Sequence, residues 1–154
     1  MVEKNQFLKI KEITEEFFLK MGFKVKVEVN SPKEDTISIL IESEEAQILI
    51  GDKGKTLLEI QHLLRKILQK QINESFYVDL DINRYKEKKI DYLKELARST
   101  ADEVSLLKKE KVLPPMPAYE RRIIHLELAE RKDVTTESIG EKEKRRVVVK
   151  PVFR

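Results

Sequence analysis

Cysteine is absent from the 154 residues. The chain therefore has no disulfide framework, no thiolate metal site and no thiol nucleophile, and it suits a reducing compartment. Long apolar runs are missing too, and none approaches the roughly eighteen residues of a membrane-spanning helix. The first residues, MVEKNQFLKIKEITEEFF, carry charges at helical spacing, which does not suit a secretory signal. These absences lead us to expect a cytoplasmic protein with no membrane span. Histidine occurs twice, at His62 and His125, and neither has a cysteine or a suitably spaced base with which to form a catalytic or metal centre. No catalytic residue, metal ligand or cofactor is therefore assigned. Glycine is scarce as well, with Gly22, Gly51, Gly54 and Gly140 the whole supply.

Charge is plentiful. Charged residues make up 38% of the chain against 40% hydrophobic, and the apolar residues recur periodically, as a folded chain requires. The length fits one ordinary domain or two small ones. The net charge of +3 is unevenly divided: residues 1–82 hold 12 Lys+Arg against 15 Asp+Glu, and residues 83–154 hold 19 against 13. The last fourteen residues, EKEKRRVVVKPVFR, carry six basic and two acidic side chains. If the chain meets a polyanion, the C-terminal half is expected to supply more of the long-range attraction.

Periodicity predicts a helix over about Glu3 to Met21, with Ile10, Ile13, Phe17 and Met21 in one stripe, Phe7 beside it and Gly22 closing it. FKVKVEV alternates strictly and predicts a strand. NSPKED has turn chemistry, and Ile37, Ile39 and Ile41 mark a second strand forming an antiparallel hairpin with the first. Ala46 to Ile50 can form one helical turn. Lys55 to about Asn73 predicts a helix with Leu57, Ile60, Leu64 and Ile67 on one face. FYVDLDI is a third strand with Phe76, Val78, Leu80 and Ile82 inward, leaving Asp79 and Asp81 on its polar face. The order αββααβ fills residues 1–82. Residues 83–154 then read as a long helix from Arg84 to about Lys109, a proline-broken KVLPPMP, a helix from Ala118 to Arg131, and two strands, VTTESIG and RRVVVKPVF, joined across Gly140. No internal repeat is visible.

Two of the four glycines bracket Asp52-Lys53 in IGDKGKT. A plain turn rarely needs a permissive residue at both ends. Gly54-Lys55-Thr56 matches the end of a nucleotide-binding P-loop, but the glycine that motif requires first is Leu49 here, and the preceding strands form a hairpin. The third possibility is a G-x-x-G loop between two helices. Glycines allow backbone to approach a phosphate closely, and the following helix N-terminus favours an anion. Lys53 and Lys55 add charge, while Asp52 subtracts some. Within the αββααβ order, and with Ile50 directly before it, this loop resembles that of the K-homology (KH) domain, type II. The resemblance implies a groove for about four unpaired nucleotides. It implies contacts from Ile50, Gly51, Asp52, Lys53, Gly54 and Lys55. Ile50 and Leu57 are candidates to touch bases, although each also suits the core.

The second constellation is Arg121 and His125 in MPAYERRIIHLELAE, four residues apart on one helix face. Read from the residues alone, this is a solvated face with a histidine near the core edge, better suited to holding phosphate than to turning over substrate. The pair matches the signature of the R-three-H domain, and Met116, Pro117, Tyr119, Glu120, VTTESIG and RRVVVKP continue the similarity. The resemblance implies that Arg121 and His125 share a phosphate-binding surface with the basic last strand. It assigns Lys144, Arg145 and Arg146 to that surface, with Lys142 and Lys150 as candidates to extend it. Strand alternation prevents all of them from facing one ligand.

A type II KH unit followed directly by an R-three-H unit, joined through Tyr85-Lys86-Glu87-Lys88-Lys89 and a long helix, resembles the bacterial Jag (SpoIIIJ-associated) family. Many members carry an additional N-terminal Jag domain that these residues do not include. The resemblance implies an α+β protein that binds single-stranded RNA, or single-stranded DNA, without catalysis. It also implies RNA-level regulation linked to cell elongation and division, and a small single-KH partner protein. Two weak sites on one chain reinforce each other on one strand when their spacing allows simultaneous engagement. The acidic first half and Asp52 motivate an alternative, a protein-interaction adaptor built on a KH fold that no longer reads nucleic acid. A phosphoesterase is the more distant third reading.

Overall fold

The computed structural model describes residues 2–153. The chain divides into two compact units, one ending at Lys86 and the other beginning at Glu87.

In the first unit, helix α1 (Lys4–Lys20) opens with a reciprocal capping box between Glu3 and Gln6. Its core-facing residues are Ile10, Thr14 and Phe18. The expected stripe is therefore rotated: Ile13 and Phe17 are half-buried and Met21 is exposed. Thr14 can occupy the core because its hydroxyl donates to the Ile10 carbonyl at 2.7 Å, which leaves no unpaired polar atom there. Gly22, at φ +93, closes the helix: its N–H bonds Leu19 O while the Phe23 N–H bonds Phe18 O.

That closure displaces the first strand. Phe23 belongs to the helix end, so β1 runs over Lys26–Lys33, starting later than its alternation predicts. It also continues through the expected turn, with a register shift between Asn30 and Lys33. Pro32 is tolerated because β1 is an edge strand. Strand β2 (Thr36–Glu42) pairs antiparallel with β1, as the hairpin reading requires, and parallel with β3 (Tyr77–Ile82). The parallel crossover between β2 and β3 is made by α2 (Ala46–Ile50), the glycine loop and α3 (Lys55–Ile72). Helix α3 buries Leu57, Ile60, Leu64, Leu68 and Ile72. The last two displace Ile67, which is half-buried, because from Ile60 onward the core contact follows a straight i, i+4 row. Phe76, Val78, Leu80 and Ile82 are all buried as expected. Asp81 departs from the polar face assigned to it. It is buried, and its Oδ1 accepts the N–H groups of Ile82 and Lys86 at 2.8 and 3.1 Å. A carboxylate in that position caps the start of the next helix.

That helix, α4 (Tyr85–Leu107), gives the second unit Leu93, Ala97, Thr100, Ala101 and Val104 as buried residues. Leu107, the last residue of the helix, is exposed. The proline-broken segment contains a two-residue strand, β4 (Lys111–Val112), which periodicity could not reveal. Helix α5 covers Ala118–Leu128 and stops short of Arg131, and strands β5 (Val134–Ile139) and β6 (Arg146–Pro151) follow. The sheet is antiparallel with order β4-β6-β5. Residues of α4 and α5 meet Val147 and Val149 of the central strand in one core. Arg98 joins Glu127 across the two helices at 2.6 Å, and Arg131 reaches Asp102 at 2.6 Å and Asp133.

The revised helix face makes a stability prediction. Leu68→Ala is expected to cost about 2–5 kcal/mol in urea denaturation, the range for a buried leucine, with Ile67→Ala costing clearly less. Equal losses would mean that the apolar row is misplaced.

Candidate nucleic-acid interface

The first candidate site is the glycine loop. Gly51 ends α2 at φ +72, ψ −173, a conformation that only glycine adopts readily. A Cβ there would lie 2.1 Å from Thr56 Oγ1 and 2.7 Å from Thr56 Cβ, so the loop folds back on the first turn of α3 through the missing side chain. Gly54, at φ +79, lies against Tyr85, whose ring would be 3.0 Å from an added Cβ. Between them Lys53 is held left-handed at φ 53, ψ 26, uncommon for a residue with a side chain. Asp52, Lys53 and Lys55 are exposed, and Ile50 is half-buried against the core. The loop follows α2, not a strand directly, so no P-loop geometry forms even though β2 has a parallel neighbour.

Leu57 is 2% exposed and belongs to the core, which removes it as a base contact. The apolar side chains available beside the loop are Ile48 and Leu58. Helical phase could have identified them, since each is adjacent to a buried leucine and so turned about 100° outward. The β3 edge is partly occupied by α3: Gln61 accepts the Leu80 N–H at 3.0 Å and Gln69 donates to the Phe76 carbonyl at 2.7 Å. Lys86 bonds Asp79 at 2.6 Å and Gln61 at 2.8 Å. Arg65 stacks 4.7 Å from the centroid of Tyr77, an exposed ring.

In the second unit Arg121 and His125 do lie on one face of α5, and they converge on β5. Ser138 Oγ lies 3.2 Å from Arg121 Nη1 and 2.8 Å from His125 Nε2. Thr136 Oγ1 lies 2.7 Å from His125 Nδ1. Arg121 Nε donates to the Met116 carbonyl at 3.2 Å, which fixes the guanidinium plane. The sequence reading missed Thr136 and Ser138. The signal was available: alternation from the buried Val134 puts both on the covered face, where a polar side chain requires a partner.

The basic residues near the last strand divide between the two sheet faces. Arg146 pairs in register with Ile139, so it lies on the face opposite Ser138 and Thr136. Lys150 shares that opposite face and bonds Glu137 at 2.8 Å. Neither lies beside Arg121 and His125. Arg145 is tied nearer to them, since its carbonyl accepts the Met116 N–H at 3.2 Å and its Nη1 donates to Gly140 O at 2.9 Å. Lys142 and Lys144 are exposed in the turn between β5 and β6. Among the described residues, no cluster of three or more His, Asp or Glu side chains could hold a metal ion, and no helix is long and apolar enough to cross a membrane.

Burial lowers the His125 pKa below its ordinary 6.5, and the Arg121 charge lowers it further. The folded state therefore disfavours the protonated ring. Its contribution to stability is present above pH 6.5 and lost as pH falls toward the depressed folded value, because the unfolded chain takes up the proton first. Lowering the pH from about 7 to 5.5 is expected to reduce the wild-type melting temperature more than that of His125→Asn. Parallel pH profiles would contradict this assignment.

Residues 9–90 match the KH domain family and residues 91–151 match the R-three-H domain. The RNA-binding protein KhpB of Clostridium symbiosum is 34% identical over 90% of this chain and 63% of its own length. KhpB of Lactiplantibacillus plantarum is 41% identical over 66% of this chain and 32% of its own length. KhpB of Bacillus subtilis is 35% identical over 74% of this chain and 56% of its own length. The matched region is thus less than two thirds of each of these curated relatives. The glycine loop between α2 and α3 and the Arg121/His125 pair on α5 fall inside the two matched domains, and the chain belongs to the Jag family, in which a KH domain is followed by an R-three-H domain.

Proposed function

We propose that this chain binds single-stranded RNA through phosphate contacts in both units and performs no catalysis. We assign residues 1–82 to the KH module and 83–154 to the R-three-H module. The observation that carries the proposal is the loop at Gly51–Gly54, where the absent Gly51 side chain lets backbone, Lys53 and Lys55 gather at the start of an 18-residue helix. Positive charge and a helix N-terminus favour a phosphate there. The names of the relatives support RNA as the ligand. We further place the activity in the cytoplasm, in RNA-level control of elongation and division, with a small single-KH protein as partner. Single-stranded DNA is the alternative ligand.

A second reading follows from the exposed Ile48, Leu58 and Leu63 of α2 and α3. Apolar side chains beside an acid-rich unit suit protein docking, and the glycine loop would then be a structural relic. Fluorescence anisotropy with a short unstructured RNA separates the two. Lys53→Asp and Arg121→Ala are each expected to weaken binding about tenfold, the scale of one charge-assisted contact. Log affinity is expected to fall linearly with log salt concentration. Binding that is indifferent to salt and to both substitutions would leave the adaptor reading.

A further inference from the structure

Ser138 lies between the side chains of Arg121 and His125. Arg121 Nη1 carries only hydrogens, so at 3.2 Å it occupies one lone pair of Ser138 Oγ. His125 faces Ser138 through Nε2 at 2.8 Å and Thr136 through Nδ1 at 2.7 Å. A neutral imidazole has one N–H and one lone pair, so it can donate to only one of these hydroxyls and must accept from the other. With the proton on Nε2, Ser138 accepts twice and its own hydrogen is free, while Thr136 donates to Nδ1. With the proton on Nδ1, Ser138 donates to Nε2 and the hydrogen of Thr136 is free. A doubly protonated ring donates to both, and both hydroxyl hydrogens are released together. Thr136 and Ser138 are only half-buried, so those hydrogens are within reach of a ligand.

We propose, resting on the nucleic-acid reading of this unit, that Ser138 is itself a phosphate-contacting residue, that Thr136 is its partner, and that ligand binding draws a proton onto His125. A phosphodiester oxygen only accepts hydrogen bonds. It therefore selects the ring state that frees the most hydroxyl hydrogens, and the imidazolium charge adds to the attraction. Free protein disfavours that state through burial and Arg121, so the proton arrives with the ligand. The surrounding charges permit this coupling. On α5, Arg121 shares the face of His125 and Arg122 is exposed. Helical phase turns Glu120 and Glu127 away from the ring, toward Lys89 and Arg98 of α4. From β5, Glu137 lies on the opposite sheet face with Lys150 of β6. Arg145, before β6, is engaged with Gly140 O. Among the described residues, no carboxylate contacts the ring in place of the ligand.

The test uses the whole chain and an oligouridylate without terminal phosphates, because phosphodiesters and uracil do not titrate between pH 5.5 and 8. At constant ionic strength, wild-type affinity is expected to rise about tenfold as pH falls across that range, the effect of roughly one unit of pKa change on binding. Ser138→Ala is expected to weaken binding several-fold and flatten the profile, and Ser138→Thr to restore both. Melting curves of the variants separate lost contacts from lost folding. NMR titration of the His125 ring in wild-type protein, with and without the oligonucleotide, reads the proton uptake independently of any variant. Binding with a flat pH profile and an unshifted His125 titration overturns this inference while leaving the nucleic-acid reading intact. No binding at any pH overturns both.

Discussion

The glycine loop of the first unit depends on the absence of one carbon atom. A Cβ on Gly51 would fall 2.1 Å from Thr56 Oγ1, well inside any tolerable contact. Only because that space is empty can the chain leave α2, turn through Asp52 and Lys53 and enter α3 within four residues. Several other features follow from the turn. Lys53 is held left-handed, Gly54 packs against Tyr85, and Lys55 starts the helix. Leu57 is then carried inward and Leu58 outward. Backbone permissiveness at one position thus sets which side chains reach the core and which reach solvent.

The second unit reaches a similar chemical end by another route. It has no comparable loop, and its donors are side chains whose hydrogens are shared out by one histidine. Arg121 is fixed by the Met116 carbonyl and leans on Ser138, while His125 bridges Ser138 and Thr136. Donor capacity here depends on protonation, whereas in the first unit it depends on backbone geometry. If both devices hold phosphate as proposed, one contact ignores pH and the other responds to it.

Much of the fold was legible because its elements obey simple periods. Strict alternation located β2 and β3, and the run from Leu57 to Leu64 located the inward face of α3. Legibility ended where one residue had two obligations. Phe23 alternates like a strand residue but closes α1, and Asp81 alternates like a surface residue but caps α4. Thr14 looks polar yet satisfies itself within its own helix. The pairing of β4 with β6 depends on residues more than thirty positions away, which no local pattern records. At the candidate sites, the sequence identified Gly51, Gly54, Arg121 and His125. It could not show that Arg146 and Ser138 lie on opposite faces, because that follows from the sheet register.

Two small regions, the glycine loop and the Arg121–His125–Ser138 cluster, are proposed to meet the phosphates of one ligand class. Titrating isotopically labelled protein with a short single-stranded RNA, while following every backbone amide by NMR, tests this most directly. The largest shifts are expected at Gly51–Lys55 and at Arg121, His125, Thr136 and Ser138. Little movement is expected at Arg146 and Lys150 on the opposite sheet face. Shifts confined to Ile48, Leu58 and Leu63, or spread evenly over the basic surface, would contradict the proposal.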